Sequence, residues 1–457
     1  MWNETCGKIF SECVRTFEEK NIRYFVLRNY EKLPEQNIGK DVDIIVEPSR
    51  LKEAKRILKS IYRNNGLLYY DEAVFDRLNC THGMGLENHT GIHIDLIGGY
   101  LVRGYEIYTF EELYAHTKWY NGFCVLDEFF DGIMLFIYKQ FGYGTPKLKE
   151  KYKDGIYNTY KKYSKEFQQE IARITSLTFA ERTMGYIERK DFDAVLACSK
   201  ELNKKLKIYA KKKAYVRTMG RRIRFLFNRL DRAVFRYRKF TRAFAVLAPD
   251  GTGKTTFLDA LIKELNHYYV SGEKDGKFHV YHFRPTILPN LGAVGEKAGV
   301  MEQDKDWTNP HRNKPANPLS SLIRIAYYTM DYLIGWQKCV RKDVHYDRFS
   351  VFDRYSYDFI VDPLRTKLGL PKWVRRFFVR LTPQPKIVFV LQAAPDVIYE
   401  RKQELTREEI ERQLNVYGEL AETHKRFYTI NAEQTPEKMA NEAMKVILEQ
   451  YAEKLEK

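Results

Sequence analysis

Residues 247–256 read LAPDGTGKTT, directly after the apolar run AFAV and directly before FLDALIKELNHYY. A buried strand that turns through two glycines into a helix allows few arrangements of the surrounding chain. Gly251 and Gly253 permit a tight backbone turn that aims successive N–H groups inward, and a helix starting near Lys254 adds its positive end. Ala248 to Thr255 fits the phosphate-binding pattern GxxxxGK[ST], with alanine in place of the first glycine. The pattern predicts ATP phosphates cradled by Ala248, Pro249, Gly251, Thr252, Gly253, Lys254, Thr255 and Thr256. Lys254 is expected to reach the outer phosphates and the Thr255 hydroxyl to ligate Mg2+.

The stretches AFAVLA, FHVYHF, FSVFDRY, KIVFVLQA and RFYTINA alternate with helical patterns from Arg242 onward. Near-continuous apolar strands in that alternation predict a parallel sheet covered by helices on both faces. VFDRY then sets Asp353 and Arg354 just past a strand's carboxyl end, where open α/β sheets line their ligand crevice. Asp353 there holds the magnesium shell or accepts a proton, and Arg354 clamps an acceptor oxyanion. Asp250, inside the glycine turn, contacts acceptor or magnesium-bound water. Further on, YERKQELTREEIERQLNVY supplies Arg401, Arg407 and Arg412 as cations able to close over a moving phosphoryl group.

These residues resemble the thymidylate kinase-like branch of the nucleoside-monophosphate kinases, from about Arg242 to the C-terminus. That family's phosphate loop, DRY motif, arginine-bearing lid and closing strand stand here as DGTGKTT, DRY, ERKQELTREEIERQ and YTINA. The resemblance implies ATP and Mg2+ as cofactors, and Arg401 as the catalytic arginine, because the loop carries none of its own. The chain departs from true thymidylate kinases where only FRPT (Arg284, Pro285) remains of a longer motif. Tyr328 and Asp331 stand where a base-reading pair is expected. The wording LIRIAYYTMDYLIGW…DRYSYDFIVDPLR is similar to a longer-chain subgroup associated with surface-polysaccharide assembly. Arg284, Tyr328 and Arg354 are then the acceptor-binding candidates, with the loop Thr286 to Pro318 beside them.

In the N-terminal part, GKDVDIIV puts Asp41 and Asp43 two apart, so both project to one face of a strand, and HIDLIGG adds Asp95. Three such carboxylates can hold a pair of magnesium ions for nucleotidyl transfer. Residues 20–100 resemble the DNA polymerase beta-type nucleotidyltransferase fold, except that Arg28 and Asn29 replace its Gly-Ser turn. A working transferase with a modified grip and a domain that binds without catalysis both fit; Lys40 and His93 are neighbouring polar candidates.

With 457 residues the chain is expected to hold several domains. The expected division is 1–123 (nucleotidyltransferase-like, α+β), 124–202 (helical), 203–241 (basic connector) and 242–457 (P-loop kinase-like, α/β doubly wound). Sixteen Lys and Arg against the single acid Asp231 in residues 203–242 account for nearly all of the +17 net charge. Val216, Met219, Ile223, Leu226, Leu230, Ala233, Tyr237 and Phe240 advance by three or four, an apolar stripe on an otherwise arginine-rich helix. Packing between domains and binding to anionic lipid are the leading readings of that helix. Nucleic acid ranks last, for no nucleic-acid module accompanies it.

Six scattered cysteines without CxxC spacing, no signal-like leader and no apolar run of roughly 18 residues predict a cytoplasmic protein, at most at the inner membrane surface. The expected function is transfer of the γ-phosphoryl group of ATP to a small acceptor, with a homodimer as the expected assembly. The competing functions are nucleotidyl transfer, thymidylate phosphorylation and an ATP-binding membrane scaffold.

Overall fold

The computed structural model describes residues 2–39, 41–75, 78–85, 90–141, 146–231, 243–269, 278–289, 315–345 and 348–452. The chain forms two compact units, one of Met1–Arg232 with Tyr268–Val270 and one of Ala233–His267 with Ser271–Lys457.

The first unit holds a mixed sheet of strands β1 (Tyr24–Val26), β2 (Val42–Val46), β3 (Leu68–Phe75), β4 (Leu78–Gly85), β5 (Thr90–Gly98), β6 (Thr117–Tyr120) and β7 (Phe123–Leu126). Their order is β3-β4-β5-β2-β1-β7-β6. β2 is buried along its whole length and runs parallel to β5, with Asp43 across from Asp95. A helix forms over Leu51–Asn64 and buries Ala54, Ile57, Leu58, Ile61 and Tyr62, one apolar face at helical spacing.

The expected breaks at 123/124 and 202/203 do not separate domains. Sheet residues Phe25, Leu27 and Ile45 share one hydrophobic core with Ile133, Ile137, Phe167, Met184, Leu202, Leu206 and Ala210. The physical reason is amphipathicity. The lysine-rich helix Ser199–Lys213 turns Leu202, Leu206 and Ala210 inward and its charges outward. At Ala214 (φ −159°, ψ 77°) that helix ends, and a second one, Tyr215–Asp231, carries the stripe on. Val216, Ile223, Leu226 and Leu230 of that stripe are exposed. Ala233, Tyr237 and Phe240 lie outside the described residues.

The second unit is built on an all-parallel sheet of β8 (Ala243–Leu247), β9 (Phe278–His282), β10 (Phe349–Asp353), β11 (Ile387–Gln392) and β12 (Phe427–Asn431) in the order β12-β11-β8-β10-β9. Both faces of the central strand are covered. Phe244 packs on Phe389, which meets Phe257 of helix Lys254–Tyr269. Ala243, Ala245 and Leu247 join a core with Tyr332 and Trp336. A parallel sheet gathers all its carboxyl ends at one edge, so Leu247, His282, Asp353 and Gln392 finish side by side. No helix among the described residues is long and apolar enough to cross a membrane.

Candidate functional site

The glycine turn leaves β8 through the fully buried Ala248. Gly251 (φ +88°) and Gly253 (φ +97°) occupy left-handed conformations that side chains with a Cβ avoid. Gly251 is also crowded: a Cβ there would meet Lys402 Cβ at 3.0 Å and the Ile398 carbonyl at 3.1 Å. Thr252 Oγ1 donates to the Pro249 carbonyl at 2.9 Å, which closes the turn. The Phe257 N–H donates to the Gly253 carbonyl at 3.0 Å and opens the helix. Lys254 folds back under the loop, donating to the Ala248 and Pro249 carbonyls at 3.3 Å each and lying 3.5 Å from Asp250 Oδ1. Burial, helped by the nearby Arg354, pushes its ammonium down to about 8.

Register brings Asp353 opposite Val246 of β8 and His282 of β9. The next residue, Arg354, donates its N–H to the Val246 carbonyl at 2.9 Å with φ +72°. A non-glycine residue held there stores about 1–3 kcal/mol of strain, a feature common where a side chain must be aimed at a ligand. Its guanidinium is buried between two carboxylates, bonding Asp358 Oδ2 at 2.9 Å and Asp250 Oδ1. Asp250 also receives Arg365, whose Nε bonds Asp362 at 3.1 Å. Burial opposes the charge on Asp250, but Arg354, Lys254 and Arg365 together hold its carboxyl well below the usual range. Asp353 Oδ2 is 3.2 Å from His282 Nδ1, whereas its buried Oδ1 has no hydrogen-bond partner among the described residues.

A cavity of about 760 Å3 runs over this edge, lined by Thr255, Thr256, Asp353, Arg354, Arg401 and Arg284, among others. Arg284 lies over the Tyr328 ring at 5.3 Å, and both face the cavity. Asp331 is fully buried and is used to build the turn: it accepts Arg284 at 2.8 Å and the N–H groups of Thr286 (3.0 Å) and Leu288 (2.6 Å). Arg401 ends helix Pro395–Arg401 and donates to the Ala432 carbonyl at 3.0 Å and the Thr252 carbonyl at 3.4 Å. The other two arginines of its stretch lie elsewhere. Arg407 pairs with Asp396, and Arg412 donates to the Val361 carbonyl at 2.7 Å. Arg365, Lys402, His282 and Thr366 line the cavity without having been singled out in the sequence. The one available signal for Arg365 was its place in DPLRT, an aspartate-led turn. Of the loop Thr286 to Pro318, residues 290–314 lie outside the described residues.

In the first unit, donor atoms of Asp41, Asp43 and Asp95 lie within 4.8 Å of one another. Arg28 sits on the group, with Nε 2.8 Å and Nη2 2.7 Å from Asp43 Oδ2. Burial pushes the Asp43 carboxyl up to about 6; Arg28 works against that shift, and Asp41 and Asp95 add to it. Asn29 accepts from Lys151 at 2.6 Å. Lys40 lies outside the described residues.

No protein-family model matches the chain, and no curated protein matches it. Among solved structures it is similar to thymidylate kinase from Ehrlichia chaffeensis, at 14% sequence identity with a TM-score of 0.30. The match covers 45% of this chain and 98% of that one. A likeness that loose carries no argument about chemistry; the parallel sheet and the glycine turn stand on the register and dihedral angles given above.

Proposed function

We propose that the second unit is an ATP-dependent phosphotransferase acting on a small acceptor, a sugar, polyol or nucleotide of the kind used in surface-glycan synthesis. One observation carries the reading: buried Lys254, under a turn of two left-handed glycines, opens into the same cavity as Asp353 and Arg354. In this reading the loop N–H groups and Lys254 grip the β- and γ-phosphates. Arg354, aimed by its strained backbone and by Asp250 and Asp358, holds the acceptor. The acceptor oxygen forms a bond to the γ-phosphorus as the bridging bond to the β-phosphate breaks and ADP departs. Arg401 neutralises charge on the moving group from the loop side, and Arg284 with Tyr328 forms the far wall of the acceptor site.

Magnesium fits the donors present: Asp353 and Thr255 line one cavity and both offer oxygen, and the buried Oδ1 of Asp353 has no hydrogen-bond partner among the described residues. When bound, the ion supplies charge neutralisation to the phosphates. The test is ADP release from ATP with a panel of nucleoside monophosphates, sugars and polyols, against a Lys254→Ala control. Acceptor-dependent ADP from the wild type alone supports the proposal, and equal background in both proteins rejects it.

A second reading concerns the first unit. The convergence of Asp41, Asp43 and Asp95 favours nucleotidyl transfer there. Asp41→Asn and Asp43→Asn should then abolish pyrophosphate release and leave nucleotide binding in the second unit intact.

A further inference from the structure

Strands β4 and β5 bring together a second group of donors, of which only Asp95 enters either reading. In their antiparallel register Cys80 lies across from Asp95 and His82 across from His93. Cross-strand partners face one side and residues two apart share it, so Cys80, His93 and Asp95 converge on a single face. One donor atom from each lies within 4.8 Å of the other two. His93 Nε2 is 2.9 Å from Asp95 Oδ1, and the His82 ring stacks on His93 with centroids 3.9 Å apart, which steadies the plane of that imidazole. Asp95 is buried, and His93 and Cys80 are partly so.

We propose that Cys80, His93 and Asp95 bind a borderline-soft divalent cation, zinc in the first instance. Sulfur, nitrogen and oxygen together make a zinc-type donor set and a poor one for magnesium or calcium. The neighbouring Asp41, Asp43 and Asp95 group is all oxygen and suits a hard ion. Asp95 belongs to both groups, and its two carboxylate oxygens allow it to serve a different ion on each side. Binding replaces the Cys80 thiol proton, which leaves to solvent, and three protein ligands leave a coordination position open to water.

The test uses the full chain, stripped with a chelator and kept reduced with a phosphine, titrated with Co2+. The expected result is a saturable near-ultraviolet thiolate-to-cobalt charge-transfer band that Zn2+ bleaches. Cys80→Ser should lose the band with an unchanged circular dichroism spectrum, whereas Cys198→Ser should keep it. His93→Ala should weaken Zn2+ binding by more than about tenfold. No charge-transfer band in the wild type, or a band that survives Cys80→Ser, overturns the site. Should Cys80→Ser fail to fold, X-ray absorption of the zinc-loaded wild type decides: one sulfur with nitrogen and oxygen neighbours supports the site, and no sulfur rejects it.

Discussion

Arg354, at the end of one strand, binds the carboxylate of Asp250 in the glycine turn that follows the neighbouring strand. This ion pair locks two loops that belong to opposite ends of the proposed transfer, one gripping phosphate and the other acceptor. Asp250→Asn leaves the buried guanidinium with Asp358 as its one carboxylate and removes one of the two carboxylate partners of Arg365. Breaking a buried pair from one side costs about 3–5 kcal/mol, so thermal unfolding of the second unit should shift down clearly. Phosphotransfer should fall with it, by about 100-fold or more. Arg354→Lys keeps the charge but loses the two-armed grip and should raise the acceptor KM more than the ATP KM.

Lys254 yields a prediction about protons. Its ammonium, ordinarily near 10.4, is pushed to about 8 by burial and by Arg354. Above that pH the nucleotide-free protein carries a neutral amine there, and polyphosphate arriving beside it favours the charged form. ATP binding at about pH 9 should therefore take up close to one proton, and at about pH 7 almost none. Affinity should fall as pH rises above 8. Calorimetry in two buffers of different ionisation enthalpy reads the uptake directly. Identical enthalpies at the higher pH would mean that the ammonium is charged before nucleotide binds.

Much of this site is legible in the sequence because it is local. The turn needs glycine at 251 and 253, and Asp353 ends a five-residue strand that is buried up to it, with Arg354 next in the chain. Arg365 is illegible for the opposite reason: it meets Asp250 across 115 residues of chain, and nothing near it marks that destination. The burial of Asp331 is hidden in the same way, since its partners Arg284, Thr286 and Leu288 come from a distant turn. In the first unit, LYYDEAVF and LNCTHGMG mix polar and small residues too freely to read as strands, and tertiary pairing makes them β3 and β4. The single core spanning sheet and helices also escapes a linear reading, because a lysine-rich helix looks solvated until its inner face is covered.

Gly335 tests the acceptor wall. A Cβ there would collide with the Pro285 ring, next to Arg284 in the turn held by Asp331. Gly335→Ala gains about 1 kcal/mol of helix propensity but forces that turn outward at about 1–3 kcal/mol. The expected outcome is a raised acceptor KM with the ATP KM unchanged. An unaltered acceptor KM would remove Arg284 from acceptor binding.

Asp43 predicts a pH dependence of stability. Its carboxyl, ordinarily near 3.9, is pushed up to about 6 in the folded chain, burial being the largest cause. Between those values the folded protein holds a proton that the unfolded chain has released. Stability contributed by this group therefore falls as pH rises from about 4 to 6. Asp43→Asn removes the titration, so its unfolding temperature should be flatter across that window and should exceed the wild type at the upper end. Parallel curves for the two proteins would show that Arg28 neutralises Asp43 throughout.

The helix Tyr215–Asp231 makes the last prediction. One side is docked: Arg221 bonds Glu106 at 2.5 Å, Arg222 lies over the Tyr105 ring at 4.7 Å, and Gly104 admits the helix backbone where a Cβ would meet Arg221 at 2.9 Å. Docking by that side leaves Val216, Ile223, Leu226, Phe227 and Leu230 exposed, with Arg217, Arg224 and Arg229 on the same helix. An apolar stripe flanked by arginines matches an anionic bilayer surface, where each basic residue adds about 1 kcal/mol and apolar side chains enter the headgroup boundary. The full chain should sediment with phosphatidylserine-containing vesicles, less so with pure phosphatidylcholine, and lose binding as salt rises. Ile223→Asp and Leu226→Asp alter exposed positions, so they should abolish sedimentation while leaving the unfolding temperature unchanged. Binding that survives both substitutions would assign the attraction to charge alone.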